Sequence, residues 1–431
     1  MVNSLKYKDQ MLYLVIILSV LCIAALTILG CKENAVSTKN DKEVTAKDIL
    51  GNSAYQAISY GGYRKVSRDL QPSIEELKED MKLLEALDIK FIRTYNVHRP
   101  HAANVLKAIS ELKKEDASFE MYVMLGAWID CKNAWTEMPP IHNEESDRNA
   151  IEIATAVDLA NQYPDIVKVL AVGNEAMVKW ATAYYVEPWI ILKWVKHLQD
   201  LKANDKLNKD LWITSSDNFA SWGGGSGEYH VPELNELIET VDYLSIHTYP
   251  MHDTHYNNEF WLDGEEGKDK WDEIDKAMDR AVKYAQDQYA AVKKYMDSLG
   301  INKPIHIGET GWASFSGGFY GNDGSKACDE YKQKLYYERL TDWTDKEGIS
   351  CFYFEAFDEI WKDAANPKGS ENHFGLFTVD GMAKYVLWEE VDKGTFKGLQ
   401  RGGKSITKTF EGNREKLNET VLAPPILVKT N

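Results

Sequence analysis

The chain has 431 residues, with 50 basic and 67 acidic side chains and a net charge of −17 at pH 7. This length is enough for one large hydrophobic core and fits a single β/α barrel. The acidic balance argues against a protein that binds nucleic acid or an anionic membrane surface, because phosphate recognition needs clustered Lys and Arg. A neutral ligand is compatible with this charge.

The N-terminal region has the pattern of an export signal. Lys6 and Lys8 precede an apolar run over 11–29, which ends in Gly30 and Cys31. We expect 1–30 to be a lipoprotein-type signal peptide and Cys31 to be lipidated, so that the protein meets a membrane only through this anchor in the bacterial cell envelope. An uncleaved membrane-spanning anchor is the alternative. The polar stretch 31–50 is predicted to be a flexible tether.

The remaining chain alternates short apolar strands with amphipathic helices, the pattern of a parallel sheet. Ser73 and Glu76 form a capping box that predicts a helix start. Predicted helices cover 74–87, 102–114, 147–162, 189–201, 231–241, 271–299 and 328–344. Predicted strands cover 54–61, 90–96, 121–128, 167–175, 211–217, 243–249, a segment from 305 and 349–355.

Eight such strands predict an α/β protein with a (β/α)8 TIM barrel over residues 51–393. An open doubly wound sheet is the alternative, but no strand is followed by G-x-G-x-x-G. Residues 394–431 are expected to wrap the barrel or to be disordered.

Two glutamates stand where predicted strands end. Glu175 closes the strand Val-Lys-Val-Leu-Ala-Val-Gly-Asn-Glu, and Glu309 lies in the later Ile-His-Ile-Gly-Glu-Thr-Gly-Trp. In a barrel the carboxyl ends of the strands meet around one mouth. Two carboxylates at such a mouth can catalyse the cleavage of a glycosidic bond, one as acid/base and the other as nucleophile or base.

Three motifs carry a resemblance to a known family. The Gly-Asn-Glu ending, the Gly-Glu-Thr-Gly-Trp sequence and the later run Phe-Glu-Ala-Phe-Asp-Glu-Ile-Trp-Lys resemble glycoside hydrolase family 17, the β-1,3-glucanases of the retaining β/α-barrel clan. The resemblance implies Glu175 as acid/base and Glu309 as nucleophile, a laminarin-like β-1,3-glucan as substrate, and no cofactor. Asp358 and Ile360 depart from the plant-type form of the third motif.

Further residues are candidates for binding the substrate. The amide of Asn174 could bond the sugar 2-hydroxyl, and Tyr249 could orient the nucleophile, although a core aromatic is the alternative for Tyr249. Trp312 could form the floor of a sugar subsite. The resemblance and the positions at strand ends add Tyr95, Trp128, Glu359 and Lys362.

The sequence gives no metal-site pattern. His252 and His255 are better explained by a polar loop than by metal ligation, because a catalytic zinc site draws three ligands from more distant elements. Outside the signal peptide and lipidation site, the cysteines are Cys131, Cys328 and Cys351. They could form one disulfide and leave one thiol, or remain free thiols.

Three other functions compete with a β-1,3-glucan hydrolase. A β-1,3-glucanosyltransferase would form the same glycosyl-enzyme and use a sugar as acceptor. A non-catalytic glucan-binding surface lipoprotein is a second possibility. A third is another clan member, such as a β-1,4-glucanase or mannanase, which shares the Asn-Glu pair.

Overall fold

Eight parallel strands close into a barrel in the computed structural model. The structure describes residues 43–264 and 268–426. Its barrel strands are β1 Gln56–Ser59, β2 Ile89–Arg93, β3 Tyr122–Ala127, β6 Val167–Asn174, β7 Trp212–Asn218, β8 Leu244–His247, β9 Ile305–Gly311 and β10 Cys351–Phe354. They pair in the closed order β1-β10-β9-β8-β7-β6-β3-β2. The predicted (β/α)8 fold is confirmed.

The strands are buried on both faces, as parallel strands under a helical layer must be. Every residue of β3 and of β9 is buried, and in β6 only the terminal Asn174 is partly exposed. Strands β3 and β6 therefore read as nearly continuous apolar runs in the sequence, whereas β9 also buries the polar His306, Glu309 and Thr310.

The helices that cover the barrel show amphipathic spacing. Ser73 accepts from the backbone of Glu76, and the Glu76 side chain accepts from the backbone of Ser73, which confirms the capping box. The described helices are α1 Ala46–Ile49, α2 Ile74–Glu85, α3 Pro100–Glu115, α4 Arg148–Gln162, α5 Pro188–Ala203, α6 Pro232–Thr240, α7 Pro250–Tyr256, α8 Glu259–Leu262, α9 Lys270–Ser298, α10 Glu330–Glu347, α11 Trp388–Lys393 and α12 Arg414–Thr420.

A small hairpin outside the barrel was not predicted. Strands β4 Cys131–Lys132 and β5 Ile141–Glu145 pair antiparallel between β3 and α4. The hairpin stands at the carboxyl end of β3, so it raises one wall beside the barrel mouth.

The predicted tether is too long at its C-terminal end. Thr45 and Asp48 form a capping box for α1, and Ala46 and Ile49 are fully buried. They join a cluster that contains Phe91 of β2 and Phe352 of β10. The folded body therefore begins at about residue 44, because α1 packs against the barrel, and not at residue 51. Residues 1–42, including Cys31, lie outside the described residues.

The C-terminal segment packs on the barrel as far as residue 426. Two short strands, β11 Gln400–Arg401 and β12 Lys404–Ser405, form a hairpin there. Arg401 donates to the fully buried Asp80 of α2 at 2.8 and 3.2 Å, and Lys270 donates to the carbonyl of Val421 at 2.9 Å. A buried ion pair between α2 and β11 fixes this segment in place.

Residues 43–264 and 268–426 include no helix with both the length and the apolar character needed to cross a membrane.

Candidate active site

The two predicted glutamates face one cavity. Glu175 directly follows β6, and Glu309 lies near the end of β9. Both line a cavity of about 1310 Å³ at the carboxyl ends of the barrel strands, together with Tyr95, Tyr249 and Asn174. Strands β6 and β9 are separated by β7 and β8 in the barrel order, so both side chains reach the same mouth.

Three donors hold the carboxylate of Glu309. Arg93 Nη1 donates to Oε2 at 2.8 Å, and Tyr95 Oη donates to the same oxygen at 2.8 Å. Tyr249 Oη donates to Oε1 at 2.7 Å. Both oxygens are therefore engaged, and the carboxylate is fixed in orientation.

These donors keep Glu309 ionised. Burial opposes its negative charge, but His247, the Arg93 guanidinium and the hydrogen bonds from Tyr249 and Tyr95 outweigh burial and lower its pKa. Burial also lowers the pKa of His247 to about 4, so His247 is neutral at pH 7. We therefore assign the stabilisation of the carboxylate chiefly to Arg93 and the two tyrosines.

Arg93 reaches Glu309 through the interior of the barrel. It is the last residue of β2, its side chain is 1% exposed, and its Nη1 also donates to the carbonyl of Gly308 at 2.7 Å. A Cβ at Gly308 would lie 2.0 Å from Ser245 Oγ and 2.3 Å from Ser216 Oγ. The glycine therefore lets β9 pass close to its neighbours just before the glutamate.

Glu175 sits on an unusual backbone. Its φ is +46°, and Gly173 two residues earlier has φ +82°. Non-glycine residues in the left-handed region are costly and concentrate at functional sites. The Glu175 backbone N–H donates to the carbonyl of Ser216 at 3.0 Å, which helps hold this conformation at the end of β6.

The environment of Glu175 favours its protonated form. Burial, followed by the charge of Glu309, raises its pKa to about 8. Its Oε1 lies 3.1 Å from Nδ1 of His247, whose Nε2 lies 2.8 Å from Ser216 Oγ. The two glutamates thus differ as an acid and a nucleophile must: one holds its proton near neutral pH and the other does not.

Other predicted residues also line the cavity. Asn174 Oδ1 accepts from Arg93 Nη2, so the group that Asn174 can offer a sugar hydroxyl is its N–H. Lys362 Nζ lies 3.7 Å from Glu359 and 4.0 Å from Glu355. Glu359 and Lys362 line the cavity, and the nearby Glu355 and Glu359 outweigh burial and raise the pKa of Lys362.

Trp128 belongs to an aromatic cluster on the hairpin side of the cavity. Trp135, in the β4–β5 turn, stacks on Tyr184 with ring centroids 5.0 Å apart, and Trp128 lies 5.3 Å from Tyr184. Trp128 and Trp135 line the cavity. Trp135 is 58% exposed, which leaves its ring accessible to a sugar.

The predicted role of Trp312 is wrong. Its side chain is fully buried and packs against Trp261 and Tyr336, and its Nε1 donates to the carbonyl of Ala327 at 2.8 Å. It does not line the cavity that holds Glu309. Trp312 follows the end of β9, and its ring turns outward into the layer between the strand and its covering elements.

Sequence reasoning assigned no role to Arg93 or Glu355. The available signal for Arg93 was its place directly after the apolar Phe91 and Ile92 at the end of β2, because a buried charge must be paired. Glu355 is 1% exposed and follows β10 beside Glu359. Burial raises its pKa well above the usual range despite the nearby Lys362.

His252 and His255 lie on helix α7 and not in the polar loop that was predicted. His252 lines the cavity with its Nδ1 3.1 Å from Tyr320 Oη, whereas His255 stacks on Phe319. In residues 43–264 and 268–426, no group of three or more His, Cys, Asp or Glu side chains could hold a metal ion. All three described cysteines are free thiols.

The chain matches the family model described as the BtgE/BtgC glycoside hydrolase domain over residues 57–375. The chain belongs to this family. It is therefore a glycoside hydrolase, and the matched region contains both glutamates. The resemblance to glycoside hydrolase family 17 is confirmed by this match and by the relatives below.

Its relatives include a protein of known structure. The crystal structure of an endo-laminarinase from Formosa Hel1_33_131 is 66% identical, covers 90% of this chain and 99% of that chain, and has a TM-score of 0.89. A glucan 1,3-beta-glucosidase of Arthroderma benhamiae is 27% identical, over 63% of this chain and 73% of that protein. A putative glucan endo-1,3-beta-glucosidase, btgC, of Aspergillus niger is 25% identical over 70% of this chain, but the chain spans only 37% of it.

Proposed function

We propose that this glycoside hydrolase cleaves internal bonds of laminarin-like β-1,3-glucan with retention of configuration. The observation that carries the proposal is the opposite tuning of the two carboxyl groups in one cavity: the pKa of Glu175 is raised to about 8 and that of Glu309 is lowered. The substrate class is supported by the 66% identical relative described as an endo-laminarinase.

The first step forms a glycosyl-enzyme. An oxygen of Glu309 attacks the anomeric carbon, while Glu175 gives its proton to the oxygen of the leaving sugar. The Arg93 and tyrosine donors hold the Glu309 carboxylate in place for attack. We assign the contact with the sugar 2-hydroxyl, which strengthens in the transition state, to the N–H of Asn174, because its Oδ1 already accepts from Arg93.

The second step releases the sugar. Glu175, now ionised, takes a proton from water, and the water oxygen attacks the anomeric carbon as the bond to Glu309 breaks. The pKa of Glu175 falls once Glu309 is esterified, because the neighbouring negative charge that raised it is gone. The same group therefore serves as acid in the first step and base in the second.

Sugar release from linear β-1,3-glucan, cellulose and mannan tests the proposal. We expect release from β-1,3-glucan alone, as oligosaccharides of mixed length, and a loss of about 100-fold to 10,000-fold in kcat for Glu175→Gln. Release from cellulose or mannan instead would assign the chain to another linkage. Products longer than the substrate would favour the glucanosyltransferase, and binding without release would favour a non-catalytic glucan-binding protein.

We also propose that the chain is exported and lipid-anchored at Cys31 in the cell envelope. The support is the basic start, the apolar run and the Gly30-Cys31 junction. Incorporation of labelled palmitate in wild type, and its loss in Cys31→Ser, is the expected result. Equal label in both proteins would contradict the anchor and favour another mode of attachment.

A further inference from the structure

A second groove lies beside the catalytic cavity. It measures about 810 Å³ and is lined by residues of α7 and α8, by the loop over 316–325 after β9, and by the segment 363–370. Among the described residues that line it, none is Lys or Arg. An anionic ligand is therefore disfavoured, while hydroxyl, amide and carboxylate groups offer hydrogen bonds to a neutral polyol.

One exposed aromatic ring dominates the groove. Phe319 is 59% exposed. Its ring stacks on His255 with centroids 4.2 Å apart and 13° between the planes. The ring of Tyr256 lies 4.8 Å from that of His255, and Tyr256 is 65% exposed. A large ring held flat by a stacked neighbour while its other face meets solvent is suited to packing against the apolar face of a pyranose.

The floor of the groove is rigid. Thr254 Oγ1 lies 2.8 Å from Ser325 Oγ, and the buried Trp261 donates from Nε1 to the Ser325 carbonyl at 2.7 Å. These bonds tie α7 and α8 to the loop that carries Phe319. A ligand would therefore find a site that is already formed, which reduces the entropy lost on binding.

The wall between the groove and the catalytic cavity is thin. Tyr320 lines the groove and His252 lines the catalytic cavity, and a single hydrogen bond of 3.1 Å joins them. Ser370 and Glu371 are consecutive residues that face the groove and the cavity, respectively. Tyr256 lines the cavity next to His255 of the groove, so a chain that leaves the cavity over Tyr256 arrives at Phe319.

We infer that the second groove binds a further stretch of the β-1,3-glucan chain whose cleavage site occupies the catalytic cavity. This inference rests on the proposed function for the identity of the glucan. The groove adds contacts only when the substrate is long enough to span both sites, so it favours polymers over short oligosaccharides without changing the chemical step.

Kinetics on a long and a short substrate test the inference. For Phe319→Ala in the full chain we expect KM for linear β-1,3-glucan to rise about twofold to tenfold, with kcat unchanged. Kinetics on laminaripentaose should not change. Phe319→Tyr should retain the wild-type KM, and Phe315→Ala is the matched control, because Phe315 is exposed in the same region but does not line the groove. Thermal unfolding checks that each variant is folded.

An unchanged KM for the polymer in Phe319→Ala, or an equal change for polymer and pentaose, would overturn the inference. Failure of the proposed function gives a different result, since wild type would then release no sugar. In that case electrophoresis of Glu309→Gln through gels that contain β-1,3-glucan decides the matter. If adding Phe319→Ala to Glu309→Gln weakens the retardation, the groove binds glucan. If the retardation is unchanged by Phe319→Ala, or if Glu309→Gln shows no retardation, the inference is refuted.

Discussion

Replacing Arg93 by Met tests how the nucleophile is kept ionised. The guanidinium donates to Glu309 Oε2 at 2.8 Å and is 1% exposed. A hydrogen bond to a charged group contributes about 1.5–3 kcal/mol, and one pKa unit corresponds to about 1.36 kcal/mol. Loss of Arg93 should therefore raise the pKa of Glu309 by about 1–2 units.

The native contacts lower the pKa of Glu309, so its carboxylate persists as the pH falls. In Arg93→Met the carboxylate is protonated at a higher pH, and the acidic limb of kcat/KM should move up by about 1–2 pH units. The assay is kcat/KM on β-1,3-glucan at pH values from 3 to 9.

Arg93→Lys is the matched control, because it keeps a positive charge but loses the planar fork that also reaches Gly308 and Asn174. We expect a smaller shift of the acidic limb in this variant. Thermal unfolding of both variants separates loss of folding from loss of ionisation. An acidic limb that stays in place in folded Arg93→Met would refute the assignment of Glu309's low pKa to Arg93.

Four further outcomes are expected. Trp135→Ala should raise KM for glucan about threefold without lowering the melting temperature, because the ring is exposed and lines the cavity; an unchanged KM would argue against a sugar contact. Trp312→Ala should cost about 3–5 kcal/mol of stability as a buried ring is lost, and urea unfolding measures this. Arg401→Met should cost about 1.5–3 kcal/mol, since Asp80 loses its hydrogen bonds from the C-terminal segment but keeps those from Arg64 and Tyr60; unchanged urea unfolding would contradict that role. kcat/KM should fall above about pH 8, where Glu175 loses its proton, and a profile flat to pH 10 would contradict the acid role.

The barrel could be predicted because its strands are buried on both faces. Continuous apolar runs separated by amphipathic helices are readable without any long-range information. The β4–β5 hairpin was missed because Ile141–Glu145 is largely polar and partly exposed, so it lacks the pattern of a core strand. Helix α1 was missed because four residues are too few to show helical periodicity.

The two glutamates could be predicted because strand ends define the mouth of a barrel. The direction in which each side chain points could not be predicted as well from the sequence. Trp312 was misassigned because a position three residues after the nucleophile does not fix the side to which a ring turns once the strand has ended. Arg93 received no role because its partners, Glu309 and Asn174, lie 216 and 81 residues away in the chain. Only the closed barrel brings them together.

The most direct test of the two catalytic roles is the configuration of azide products from an activated aryl β-laminaribioside. In Glu175→Ala the nucleophile remains, so azide should replace the glycosyl-enzyme bond and give a β-glycosyl azide. In Glu309→Ala no glycosyl-enzyme forms, and azide should attack the opposite face and give the α-anomer. NMR distinguishes the two anomers. The account predicts β from Glu175→Ala and α from Glu309→Ala, and the reverse assignment would contradict it.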